Sequence, residues 1–160
     1  MNLRTFFISV LVLPTFLTGC TEYWWQRGQP PSVKTLINRA TIDLQTAIAT
    51  KKRPELVALA QSLESCLKQA SAESAGPDTA PSPKLTESLS QCKKGFVSLE
   101  EQLTVTNRAP YAELAGQLRV FVDATAKGEK PDPSAVGLFT ARTLFFLASE
   151  LELSKTVAKG

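Results

Sequence analysis

Leu85, Leu89, Cys92, Phe96, Leu99 and Leu103 recur at steps of four, three, four, three and four. That spacing follows one stripe of an α-helix, and it cannot be sustained in a strand, whose side chains alternate with period two. A helix over residues 84–105 with a heptad-like apolar seam is therefore predicted, and a seam of this kind must be covered by other helices. The segments around it follow the same rule. Val33, Leu36, Ile37, Ala40, Leu44, Ala47 and Ile48 share a stripe in a helix over residues 32–50, opened by Ser32. Pro54 suits the first turn of a second helix, whose buried side carries Leu56, Leu59, Ala60, Leu63, Leu67 and Ala70. Residues 71–83 lose the periodicity and read as a loop. A fourth helix is expected over residues 110–127, with Tyr111, Leu114, Leu118, Phe121 and Val122 inward and Gly128 as its stop. Asp132 and Pro133 form a cap and first turn for a last helix over residues 133–155.

No segment shows sustained alternation between turn signals, so a sheet is not expected. The prediction is an all-α fold: a small bundle of four to five helices over residues 32–155, followed by a short tail over residues 156–160. A domain of that length supports one core and not two.

The N-terminus reads differently. Arg4 precedes an apolar run over residues 6–13, which Pro14 ends. The run is shorter than the ~20 residues a spanning helix needs, and its three-part layout is that of a secretory signal. It closes on Leu17-Thr18-Gly19-Cys20. These four residues resemble the lipobox of a bacterial lipoprotein. The resemblance implies that residues 1–19 are a cleaved signal peptide. It also implies that Cys20 carries a covalent diacylglycerol and an acyl chain such as palmitate, and that the protein is held on the envelope membrane. Thr21 stands where lipoproteins retained in the inner membrane have Asp, which implies the periplasmic face of the outer membrane. Residues 20–31 then form a tether. Tyr23, Trp24 and Trp25 follow the anchor directly and suit the membrane–water interface. Packing back onto the domain is the alternative for these rings.

With Cys20 lipidated, Cys66 and Cys92 remain. They lie on the apolar sides of the second and third helices, about five residues before the Pro-rich loop and nine after it. At 1.5 Å per residue those depths are ~8 and ~13 Å, so an antiparallel pair brings them side by side. In an oxidising compartment a disulfide is the expected outcome, with two buried free thiols as the alternative.

The last helix carries two apolar sides. Val136, Leu144, Leu147 and Leu151 gather on one. Leu138, Phe139, Phe145, Phe146 and Leu153 gather on the other, around Arg142. Such a helix is either central in the bundle or presents one side to something else. On the second reading Phe139, Arg142, Phe145 and Phe146 form a partner-binding face for a protein or lipid.

The chain contains no histidine, which removes the commonest general base and His-based metal sites. There is no P-loop, glycine-rich dinucleotide turn or nucleophile elbow. Adjacent Glu100 and Glu101 diverge on a helix and do not form an acid–base pair. Glu150 and Glu152 read as solvated helix charges, and the cluster Lys51, Lys52 and Arg53 as cations at a helix C-terminus. A net charge of +3 is too small to imply nucleic acid. Neither catalysis nor a metal or diffusible cofactor is expected. Lipobox, length and helix content together resemble, in architecture alone, the pilotins that escort secretin subunits to the outer membrane. The resemblance implies an adaptor, chaperone or assembly subunit with a protein partner in the envelope. A carrier of a lipid or small apolar ligand is the alternative from another class, and a structural envelope lipoprotein the third.

Overall fold

The computed structural model describes residues 30–153. Five α-helices follow one another: α1 (Val33–Ala49), α2 (Pro54–Ser74), α3 (Pro83–Glu100), α4 (Arg108–Ala126) and α5 (Pro133–Glu152). A single 3-10 turn, Val105–Asn107, links α3 to α4, and the described residues contain no strand. The all-α bundle is thus the fold. The expected signal segment, Cys20, the aromatic trio Tyr23, Trp24 and Trp25, and the tail over 156–160 lie outside the described residues.

The helix ends follow local chemistry. Pro54, Pro83 and Pro133 each occupy the start of a helix, where a missing N–H breaks no intrahelical bond. Ser82 Oγ accepts from the Leu85 N–H at 3.0 Å, and Asp132 Oδ2 from the Ala135 N–H at 2.8 Å. At the end of α4, Gly128 has φ +79°, and the N–H groups of Gly128 and Glu129 donate to the carbonyls of Thr125 and Ala124. That is a Schellman stop, and glycine supplies the left-handed residue it needs.

Three boundaries differ from the sequence reading, one of them the end of α5, which stops at Glu152 with Leu153 extended instead of running to 155. Helix α2 continues to Ser74, because residues 71–74 contain neither Gly nor Pro and Ser74 itself is buried. Helix α3 stops at Glu100 instead of near 105. Leu103 and Thr104 stay buried, but the chain there has turned to meet the end of α5.

Helix α5 is the hub. It packs most extensively on α1 and also touches α2 and α4, while α3 bridges α2 and α4. α1 and α2 are consecutive in sequence yet barely meet. α1 runs parallel to α5: Val33 lies against Gly137 at their starts, and Arg53 meets Glu150 near their ends. A side chain at Gly137 would collide with Val33, so this glycine sets how closely the two helices approach. Buried positions run round most of α5, including Val136, Phe139, Leu144, Phe146, Leu147 and Leu151. Its first apolar side is therefore core, and the second is core at Phe139 and Phe146. By length and composition α5 is also apolar enough to cross a membrane, but a core helix buried by its neighbours has the same composition.

All six residues of the heptad seam are buried. Each fully buried leucine there contributes ~1.5–3 kcal/mol through apolar transfer. At the centre the ring of Phe96 stacks on Tyr111 (centroids 5.7 Å) and on Phe139 (6.1 Å), and Phe121 meets Phe139 edge-on at 5.5 Å. Tyr111 Oη donates to the Phe96 carbonyl at 2.8 Å, giving the one polar atom of this cluster a partner. Burial, aided by the Glu100 carboxylate, raises the Tyr111 phenol above its ordinary value of 10.0.

Candidate functional site

Cys66 on α2 and Cys92 on α3 form a disulfide, with Cα atoms 5.6 Å apart. The longer α2 makes the pairing more symmetric than the sequence suggested. Cys66 lies eight residues from the end of α2 and Cys92 nine after the start of α3. Both are thus ~12–14 Å from the connecting loop at 1.5 Å per residue. Leu63 and Gly95 approach closely one turn further along the same pair, so α2 and α3 run antiparallel and in register there.

A second tie joins the far ends of the bundle. Arg53 is 3% exposed and Glu150 fully buried. Arg53 Nη1 donates to Glu150 Oε1 at 2.8 Å, Nε to Glu55 Oε1 at 2.8 Å and Nη2 to the Gln102 carbonyl at 2.8 Å. Glu150 Oε1 also accepts from the Thr104 N–H at 2.9 Å. Its Oε2 accepts from Thr104 Oγ1 at 3.1 Å and from Asn107 Nδ2 at 2.7 Å. The α1–α2 corner, the α3–α4 connection and the end of α5 are thereby held by one carboxylate.

This corrects the sequence reading of both residues. Arg53 turns inward instead of serving as a cation at the C-terminus of α1, and Glu150 is not a solvated helix charge. Position 150 follows Leu147 by three residues on the covered side of α5, which is the signal that could have revealed it. The four acceptor sites of Glu150 are all engaged, so it has no lone pair free for proton abstraction. The knot is structural.

The expected partner face divides. Phe139 and Phe146 are core residues, 2% and 8% exposed, and so cannot contact a partner. Of the two readings of this helix the central one holds, which corrects the placing of Phe139 and Phe146 on a partner face; Phe121 of α4 packs edge-on against Phe139. Arg142 does reach solvent, where Nη2 lies 2.7 Å from Glu113 Oε1 of α4. Both partners are about half exposed, and such a pair contributes ~1 kcal/mol or less. Phe145 is half-buried and packs on the core, while Leu138 is exposed. The solvent therefore meets only a narrow strip of Leu138, Arg142 and the edge of Phe145.

Among the described residues no three His, Cys, Asp or Glu side chains are grouped to hold a metal ion. Two Ser-x-x-Lys spacings, Ser65 with Lys68 and Ser90 with Lys93, lie on exposed helix surfaces. Lys68 Nζ bonds Glu64 at 3.0 Å, one turn away, and not Ser65. Neither spacing builds a nucleophile and base.

The surface grooves among the described residues include three of note. One of about 480 Å³ lies between α3 and α4, with Leu103, Tyr111 and Gly116 in its wall and Arg108 and Arg119 at its edges. One of about 730 Å³ lies beside the loop before α3 and the end of α4, and its lining includes Glu87, Gln91 and Lys94. The third, about 500 Å³, opens where α1 and α5 begin and α2 ends, and its lining is the most apolar. The chain matches no known protein family, no curated protein and no solved structure.

Proposed function

We propose that this is a lipid-anchored binding protein of the bacterial envelope, held by Cys20 at the periplasmic face of the outer membrane. There it serves as an adaptor or pilotin-like assembly chaperone for an envelope protein. It works by binding and not by catalysis, and its only lipid group is the diacylglycerol and acyl chain on Cys20. The observation that carries the reading is the pairing of Cys66 with Cys92. A disulfide in the core fits an exported protein, and it accounts for two of the three cysteines in the chain, Cys20 being the third. That cysteine is the one closing the lipobox-like motif. Tyr23, Trp24 and Trp25 then suit the bilayer surface next to the anchor. The apolar groove at the start of α1 favours a second reading, a carrier of a lipid or small apolar ligand.

Native mass spectrometry of the full-length protein purified in mild detergent separates the two. The adaptor reading expects a membrane protein to co-purify in defined stoichiometry. A bound small molecule with no protein partner would replace it with the carrier reading.

A further inference from the structure

Helices α1 and α5 run parallel, so both begin at one end of the bundle, where α2 ends. The groove at that end is walled by Val33 and Ile37 of α1, Ala72 and Ala75 of α2, and Pro133 of α5. The two alanines keep it open, and its volume of about 500 Å³ falls within the range of small-molecule sites. We propose that this groove holds an acyl chain of an anionic membrane phospholipid, with the phosphate seated beside Lys34. This rests on the envelope-anchored reading above.

Charge favours an anion there. Lys34 lines the groove, is exposed and makes no ion pair among the described residues. Lys68 stands on the opposite wall, 3.0 Å from Glu64. Of the acids nearby, Glu64 is ion-paired and Asp132 caps its own helix. Glu64 also accepts from Gln45 Nε2, and the Asp132 carboxylate caps the Ala135 N–H. The groove also receives the first residues of two helices, Val33 and Lys34 of α1 and Pro133 and Ser134 of α5, whose positive dipole ends outnumber the one negative end, that of α2. Lys34, the lysine of the lining without a carboxylate partner among the described residues, stands above an apolar slot as a headgroup phosphate stands above hydrocarbon.

The chain's layout favours a lipid over a soluble ligand. Twelve residues separate Cys20 from Val33, and even fully extended they reach at most ~45 Å. Of the three grooves, this one lies nearest in sequence to the anchor.

The test uses the full-length protein in detergent micelles doped with a photoactivatable phosphatidylglycerol, its diazirine in the acyl chain, or with the matching phosphatidylcholine. Labelled peptides are mapped by mass spectrometry. The glycerol lipid is expected to label residues 33–38 and 71–75 about fivefold more than the choline lipid, the worth of one lysine at an anionic lipid surface. Lys34→Glu should remove that preference. It places an acid in the first turn of α1, which suits the helix dipole and preserves folding. Ala72→Glu, an exposed position with a strong helix former, should abolish labelling by both lipids. Circular dichroism confirms that each variant is folded. Equal labelling by the two lipids, label spread over the whole domain, or a preference that survives Lys34→Glu would overturn the proposal. The mass of the Cys20 peptide in the same sample reports acylation separately. An unmodified Cys20 would count against the anchored reading and leave the groove result to stand or fall on its own labels.

Discussion

Glu150→Ala is expected to destabilise the domain by about 3–5 kcal/mol, the range for removing one partner of a buried ion pair. The magnitude follows from what the substitution strands. Arg53 would keep a buried guanidinium with only the partly exposed Glu55 carboxylate and the Gln102 carbonyl, and Thr104 would lose the acceptor of both its N–H and its hydroxyl. Asn107 Nδ2 would also lose its acceptor. Glu55 stays paired with Arg53 Nε, which places the expected loss towards the lower end of that range. Urea unfolding followed by circular dichroism measures the loss as a drop in midpoint at constant slope. A double substitution, Arg53→Leu with Glu150→Leu, should recover part of it, because an apolar pair strands no charge. Recovery would be incomplete, since the Thr104 N–H still lacks a partner. A change below ~1 kcal/mol for Glu150→Ala, the level of an exposed pair, would mean that the knot is solvated.

Loss of the Cys66–Cys92 bond is the other large effect. The bridge spans a sequence separation of 26 residues, and the chain-entropy model gives ~3.5 kcal/mol for a loop of that size. The mechanism differs from that at Glu150, because the bridge acts mainly by restricting the unfolded chain. In a domain of this size the loss corresponds to a Tm lower by about 10–20 °C. The double variant Cys66→Ala, Cys92→Ala should melt lower than the oxidised protein and be indifferent to reductant, while the parent should fall towards it when reduced. A parent whose melting ignores reductant, and which binds a thiol reagent at both cysteines when unfolded without reductant, would show two free thiols instead.

Much of the architecture could be read along the chain because it is local. The Leu85–Leu89–Cys92–Phe96–Leu99–Leu103 stripe, the Pro54 and Pro133 starts, the Asp132 cap and the Gly128 stop each depend on a few neighbouring residues. The disulfide was legible for the same reason: two antiparallel helices and a loop fix the depth of each cysteine. What escaped was non-local. A helical wheel shows which residues share a side but not what covers that side, so Phe139 and Phe146 admit a reading as partner contacts beside the reading as core. Arg53 and Glu150 stand 97 residues apart, and nothing near either one in sequence names the other. Their burial is decided by α5 lying parallel to α1 and by α3 stopping early enough for Thr104 to turn inward.

The groove at the start of α1 depends on that same parallel pairing, which brings two helix starts to one end of the bundle. The functional account rests in turn on the cysteine upstream of it. Metabolic labelling with an alkyne fatty acid, followed by mass analysis of the N-terminal peptide, tests that account most directly. The expected result is incorporation at Cys20, on a chain that begins at Cys20 and carries the added mass of a diacylglycerol and an acyl chain, with all label lost in Cys20→Ala. Unchanged labelling in Cys20→Ala, or an unlabelled parent whose chain retains residues 1–19, would contradict it.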